Sequence, residues 1–276
     1  MAALDVAKAY DSVWHAGLLH SCRAVLSYAT CRWIAGFLRD RKAAVLEAGG
    51  HLSAEISTRG GVPQGSPLSP LLYILYTREM PLPREPLLGA TAYADDVCLW
   101  ASARTPAAAW DSLQPHLDAL VVWGKRWRLR FSADKTQAAY LACRWTAWPD
   151  GALEPPRFNG TELSWAVHVD LLGIRLDRRL SFHPYAQEIA RRLSPRTQEL
   201  QRLLCTARRV PQWVGVLLWK AFIRSALTYA APVILTACDT TWLVLERLER
   251  RVLRTTCRLP WRTRAAEIYQ RAGVLR

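Results

Sequence analysis

Two adjacent aspartates, Asp95 and Asp96, interrupt an otherwise apolar segment from Leu87 to Trp100. No buried strand can run through two neighbouring charges, so the segment reads as strand, two-residue turn, strand, with the pair at the hairpin tip. Carboxylates placed side by side repel one another and are costly to desolvate unless a cation neutralises them. Hard divalent cations such as Mg²⁺, which prefer carboxylate oxygens and water, would do so. A third aspartate, Asp5, ends a short apolar strand expected over Ala2–Ala7. Brought beside the pair, it would complete an acidic site able to hold two ions roughly 3.5–4 Å apart. Taken alone, Asp95-Asp96 reads equally well as a solvated turn, because Asp favours turns.

The rest of the chain shows where such a hairpin would be housed. Apolar residues recur at helical spacing from Trp14 to Leu38, and Ala43–Ser57 alternates around Gly49-Gly50 as a hairpin would. Gly60–Pro70 is a Gly/Pro-rich loop leading into a helix over Leu71–Tyr76. A further helix is expected over Pro106–Trp127, with Leu113, Leu117, Leu120 and Val121 on one face. Leu129–Leu141 reads as a strand pair with Lys135 near its turn, and Val169–Leu176 as a strand. Residues Trp145–Pro156 are Pro-rich and irregular. From Pro184 the pattern changes to helices with basic faces, over Tyr185–Leu204, Pro211–Tyr229, Thr241–Cys257 and Arg264–Arg271.

Charge follows the same division. Ten Lys and Arg face eleven Asp and Glu up to Leu120, whereas 27 face 12 beyond it, so the whole net charge of +14 lies in the second half. A basic surface of that kind suits a phosphate backbone. With 32 Arg against five Lys, a composition bias towards Arg is the alternative, although bias alone would not leave the first half neutral. Arg247, Arg250, Arg251 and Arg254 recur at helical spacing, with Arg191-Arg192 and Arg208-Arg209 elsewhere in the basic half. The seven cysteines are scattered and match neither a zinc knuckle nor a redox pair. No signal peptide opens the chain, because Asp5 and Lys8 break any apolar run, and the uncharged stretch Ser225–Cys238 is too short to cross a bilayer. An intracellular protein, nuclear or cytoplasmic and without a membrane partner, is expected.

Three segments then combine. Leu4-Asp5-Val6-Ala7-Lys8-Ala9-Tyr10-Asp11, Gly61-Val62-Pro63-Gln64-Gly65-Ser66-Pro67-Leu68-Ser69-Pro70 and Tyr93-Ala94-Asp95-Asp96 resemble, in order, the palm motifs of reverse transcriptases. The jockey-like branch of LINE-type, non-LTR retrotransposons is the nearest likeness. Asp134-Lys135-Thr136 resembles the next motif, and Leu171–Asp177 the primer-grip hairpin. Tyr229-Ala230-Ala231-Pro232 and Arg247–Trp261 resemble, more weakly, the helical thumb.

The resemblance implies an α+β fold: a right-hand polymerase palm, its antiparallel sheet packed on helices, over 1–183 and a basic all-helical thumb over 184–276. It implies RNA-directed DNA synthesis with Mg²⁺ (Mn²⁺ as a substitute), a deoxynucleotide, an RNA template and a DNA primer, the RNA–DNA duplex lying against the thumb. Asp5 and Asp95 would hold both ions, with Asp96 assisting and Val6 lending its carbonyl. Tyr10 would be the steric gate against a ribose 2′-hydroxyl, with Gln64, Gly65 and Tyr93 around the nucleotide. Lys135 would approach the triphosphate and protonate the leaving pyrophosphate, although an ordinary surface lysine is the competing reading.

Departures accompany the matches. Ser132 stands where the family usually has Asn, and Leu171 where it has an aromatic residue. Family members carry a fingers region before the first aspartate motif, and here four residues precede Asp5. Neither an endonuclease domain nor a Cys/His knuckle flanks the motifs, and the last helix pattern is still continuing at the end. These features imply a truncated element copy with Met1 as an internal start, its fingers absent and its activity impaired. The alternative is a non-catalytic nucleic-acid-binding remnant of such an element. A viral RNA-dependent RNA polymerase fits less well, because Ala94 replaces the glycine usual there and Tyr10 favours deoxynucleotides.

Overall fold

The computed structural model describes residues 1–142, 154–206 and 210–274. Most of the Pro-rich stretch 145–156, together with Cys143 and the Arg208-Arg209 pair, lies outside the described residues. The described residues separate into two compact units, one of 1–140 and 154–166, the other of 141–142, 167–206 and 210–274.

In the first unit the order is β1 (Ala2–Val6), α1 (His15–Arg23), α2 (Tyr28–Leu38), β2 (Lys42–Ala43), β3 (Ile56–Ser57), α3 (Ser69–Thr77), β4 (Arg84–Glu85), β5 (Leu88–Tyr93), β6 (Asp96–Ala101), α4 (Pro106–Trp127), β7 (Phe131–Ala138), β8 (Arg157–Phe158) and β9 (Thr161–Glu162). Its five-stranded sheet has the order β4-β5-β6-β1-β7, with every neighbouring pair antiparallel. Alternation along β1 buries Ala2, Leu4 and Val6 and leaves Ala3 and Asp5 on the half-open face. The buried face meets Leu113, Leu117 and Leu120 of α4, together with Leu72, Tyr73 and Tyr76 of α3. Burying a leucine in such a core contributes about 1.5–3 kcal/mol, which helps to hold β1 between β6 and β7.

Local chemistry sets the helix limits. Ser27 caps α2, its hydroxyl accepting from the Thr30 amide at 3.2 Å. The residues between Arg23 and Ser27 divide into two helices what periodicity presents as one from Trp14 to Leu38. Thr105 caps α4 by accepting from the Ala108 amide. Arg128 ends α4 in the left-handed conformation, φ 56°. Gly124 is required there, since a Cβ would lie 2.9 Å from the Leu129 carbonyl where the chain turns back into β7. The expected strand pair over Leu129–Leu141 is instead the single strand β7, with Lys135 in its interior rather than near a turn. The reason is that β7 pairs along β1 as the sheet's edge.

The second unit holds β10 (His168–Leu171) and β11 (Ile174–Asp177), α5 (His183–Thr206), α6 (Gln212–Trp219), a π-helical turn Lys220–Arg224, α7 (Ser225–Thr228), α8 (Ala231–Ile234), α9 (Asp239–Thr256) and α10 (Ala265–Ala272). The segment read as one strand is a hairpin turning at Leu172-Gly173, in line with the resemblance to a primer-grip hairpin. It shares a unit with the helices, so the compact units divide earlier in the chain than residue 184. Asp177 fixes the way into α5, accepting the Ser181 and Phe182 amides at 3.1 and 2.7 Å. The core joins α5, α6 and α9 through Leu193, Trp219, Ile223, Val252 and Leu253, all fully buried. Gly215 permits the close approach of α6 to α9, for a Cβ would sit 2.7 Å from Thr256 Cγ2. The α+β class, with an antiparallel sheet on helices followed by a helical region, is the one expected.

Two substitutions on α4 test the division between core and surface. Leu117→Ala, at a fully buried position, should cost about 2–5 kcal/mol in denaturant unfolding. Val122→Ala, 68% exposed, should change it by less than about 0.5 kcal/mol.

Candidate active site

The register of three strands assembles the acidic residues. Asp5 of β1 stands opposite Asp96 of β6, and the Val6 amide donates to the Asp95 carbonyl at 3.1 Å. Aspartates some ninety positions apart therefore meet by backbone pairing. The β5–β6 hairpin closes with Tyr93 opposite Asp96 and turns through Ala94 and Asp95. Ala94 is held at φ 52°, a left-handed conformation costing a non-glycine residue about 1–2 kcal/mol.

A second clasp places the glycine-rich loop. The Gly61 amide donates to Val13 O and the Val62 amide to Tyr10 O, both at 2.8 Å. His15 Nε2 lies 2.7 Å from Gly61 O. Gly61, at φ 80°, leaves no room for a side chain, since a Cβ would come within 3.0 Å of Asp11 Cα and O. Beyond it Ser69 Oγ donates to Pro63 O at 2.5 Å, and Pro70 lies in the first turn of α3, where its missing N–H costs nothing. Gln64 donates from Nε2 to Asp11 Oδ1 at 3.3 Å. Gly65 takes φ 90° over open space. These bonds lay the loop beside the turn that follows β1.

Between them lies a cavity of about 520 Å³, lined by residues that include Asp5, Val6, Tyr10, Gln64, Gly65, Asp95 and Lys135. Seven of the nine residues singled out in the sequence thus line one cavity. Asp96 and Tyr93 do not: Asp96 is half-buried in the sheet, and Tyr93 is 69% exposed. Lys135 reaches across from β7, its Nζ 3.2 Å from Asp5 Oδ2. With 68% of the lysine side chain and 29% of the aspartate side chain exposed, the pair contributes no more than about 1 kcal/mol. It does show that Asp5 presents an oxygen to a cation.

The carboxylate oxygens of Asp5 and Asp95 are a donor set suited to hard divalent cations. Among the described residues no group of three or more His, Cys, Asp or Glu side chains is placed to hold a metal ion. An ion held by Asp5 and Asp95 alone would take its remaining ligands from water or substrate oxygens.

Sequence patterning did not single out what lies under Tyr10. Its ring stacks on Tyr73 of α3, with centroids 5.1 Å apart and planes inclined by 29°, an arrangement worth about 0.5–1.5 kcal/mol beyond burial. Tyr73 is 2% exposed, and its hydroxyl has no hydrogen-bond partner among the described residues. Burial, then the charge of Asp95, pushes that phenol well above its usual range. Tyr76, one helical turn on, does find partners: its hydroxyl accepts from the Trp14 amide and donates to the Trp127 carbonyl. Helical spacing marks both tyrosines only as core.

In the second unit the arginine pattern differs from the expected face. Arg250 turns towards Glu246, at 3.8 Å, with 24% of its side chain exposed. Arg247 and Arg251 line a groove of about 650 Å³ with Arg191 and Ser194 of α5. Arg254 and Arg258 line another of about 680 Å³ with Trp261. Arg247, Arg251 and Arg254 therefore share one face of α9, position 250 falls beside Glu246, and Arg258 lies past the helix end with φ 53°.

Residues 1–176 match the family described as reverse transcriptase (RNA-dependent DNA polymerase). The chain belongs to the reverse transcriptase family. It is 30% identical over 274 residues to the RNA-directed DNA polymerase from mobile element jockey of Drosophila funebris, covering 96% of this chain and 29% of that protein. It is 34% identical over 209 residues to the probable RNA-directed DNA polymerase from transposon BS of Drosophila melanogaster, covering 73% of this chain and 22% of that one. The chain thus spans less than a third of the length of these relatives. A solved structure of telomerase from Candida albicans aligns over 99% of this chain and 50% of its own, with TM-score 0.46 and 11% identity. No helix among the described residues is long and apolar enough to cross a membrane.

Two substitutions test the site's construction. Tyr73→Phe, which removes an unsatisfied buried hydroxyl, should raise the free protein's stability by about 1 kcal/mol in thermal unfolding. Gly61→Ala should lower it by about 2 kcal/mol or more through the combined clash and left-handed strain.

Proposed function

We propose that the chain carries the catalytic core of an RNA-directed DNA polymerase of a non-LTR retrotransposon, extending a DNA primer on an RNA template. The first unit acts as the palm, and the helical unit acts as the thumb, with β10–β11 as the primer grip. The observation that carries this reading is the convergence of Asp5, Asp95, Tyr10, Gln64, Gly65 and Lys135 around one cavity. Asp5 and Asp95, with the Val6 carbonyl and with Asp96 assisting, would hold two Mg²⁺ ions, or Mn²⁺ in their place. When bound, the ions supply neutralisation of charge on the transferring phosphoryl group and a lowered pKa for the attacking hydroxyl.

The chain's own residues set the geometry of the displacement, in which the primer 3′-hydroxyl forms the new P–O bond to the α-phosphate and pyrophosphate departs. Tyr10, braced by Tyr73, occupies the place a ribose 2′-hydroxyl would need, so deoxynucleotides are preferred. Gln64, held by Asp11, and Gly65, with no side chain, form the surface against the nucleotide and its template base. Lys135 moves from Asp5 to the triphosphate and gives its proton to the leaving pyrophosphate. Arg247, Arg251 and Arg254 on α9, with Arg258 just past its end, follow the duplex backbone by charge, without reading bases.

The second reading, a nucleic-acid-binding remnant, is favoured by the arginine grooves alone. Primer extension on an RNA template with Mg²⁺ separates the two. Incorporation that falls about a hundredfold or more in Asp95→Asn, with ribonucleotide rejection relaxed about tenfold or more in Tyr10→Ala, supports the polymerase. Salt-sensitive duplex binding with no incorporation by the unaltered chain supports the remnant.

A further inference from the structure

Outside the cavity, α2 shows solvent a face that its own unit does not use. The helix packs inward through Cys31, Ile34 and Leu38. On the far side, positions 28 and 32 form one row and 33 and 37 the next, with Ala29 and Gly36 between the rows. Trp33 is 60% and Tyr28 79% exposed. Two such rings on one short helix face mark a contact surface rather than a stray exposed side chain.

The indole of Trp33 is braced. Its ring lies nearly parallel to that of Phe37, with centroids 5.9 Å apart and planes inclined by 12°, and Phe37 is itself half-buried against the core. Trp33 is therefore held as a platform while most of it stays in water. Gly36 keeps the ground between Arg32 and Trp33 bare. A glycine inside a helix weakens it relative to alanine, yet a Cβ at Gly36 would meet nothing within 4 Å. Packing within the chain does not account for the glycine, and a planar group arriving from outside has room above it.

Charge indicates which partner fits. Of the ten Lys and Arg up to Leu120, five lie between Arg23 and Lys42, where Asp40 is the one acid. Lys42 is taken by Glu55 at 2.8 Å. Arg23, Arg32, Arg39 and Arg41 make no ion pair among the described residues. The cations of an otherwise acidic half are thus gathered on and around the helix that carries the braced ring. An acidic protein surface would answer the cations but not the platform. Unpaired bases with their phosphates answer both, whereas the bases of a duplex are already stacked on one another.

We propose that the outer face of α2 is a binding surface for single-stranded nucleic acid, with an unpaired base stacked on Trp33 and the phosphates met by Arg32 and its flanking cations. The surface shares no residue with the nucleotide cavity, and it stands or falls independently of the polymerase reading.

The test uses the full chain and a short fluorescent oligouridylate, followed by anisotropy. Trp33→Ala should weaken binding about tenfold, within the range for removal of one stacking ring, and Trp33→Phe should keep most of the affinity. Arg32→Gln should flatten the dependence of log affinity on log salt by about 0.7, the share of one phosphate on a single strand. Gly36→Glu puts a better helix former into open space, so it should fold at least as well as the parent, and it should weaken binding at least as much as Trp33→Ala. Oligothymidylate should lose the same factors, because a stacking ring does not read the sugar. A blunt RNA–DNA duplex should bind parent and variants alike. Ultraviolet cross-linking of a bromouridine-substituted oligomer should place adducts on Trp33 or Tyr28. Unchanged single-strand affinity in either Trp33→Ala or Gly36→Glu, an equal loss for the duplex, or adducts confined to other segments each overturns the proposal. So does a parent chain that sediments as a dimer without nucleic acid and as a monomer after Trp33→Ala, since a second copy of the chain is then the occupant.

Discussion

The pairing of β1 between β6 and β7 is the constraint on which the site depends. It places Asp5 against Asp96, ties Val6 to Asp95, and brings Lys135 within reach of Asp5. Side chains alternate along a strand, so a slip of one residue would turn Asp5 into the core and Leu4 out to the cavity. The apolar partners of β1 on α3 and α4 therefore protect the chemistry as well as the fold. With Leu4 and Val6 buried, Asp5 has one face left.

The second organising element is the contact between the turn after β1 and the glycine-rich loop. Val13, Tyr10 and His15 hold the loop by its backbone, and Asp11 holds the Gln64 side chain that lines the cavity. The strain in the site is local and tied to this arrangement. Lys8 and Ala94 are left-handed without being glycines, and Tyr73 buries a hydroxyl without a partner. Each lowers the stability of the free protein by an amount of the order of 1 kcal/mol.

The helical unit carries a different kind of information. Its core is ordinary apolar packing between α5, α6 and α9, and its distinctive property is charge on one side of α9. Helical spacing located the arginines correctly on α9 and misassigned Arg250, because Glu246 one turn away draws that side chain aside. A periodic pattern reports which residues share a helix face; it does not report which of them have an intramolecular partner.

By itself, the sequence determined the hairpin bearing Asp95-Asp96, the helix over 106–127, the glycine loop and the helical second half, since each follows from local periodicity or turn chemistry. The motif resemblance added the roles expected of Asp5, Tyr10, Gln64 and Lys135. Only the tertiary structure decided that β7 is one edge strand and that Lys135 faces Asp5. It alone revealed that Tyr73 braces Tyr10. Those are long-range facts: they depend on which strands pair and in what register, and no local pattern in a chain specifies the partner of a residue a hundred positions away.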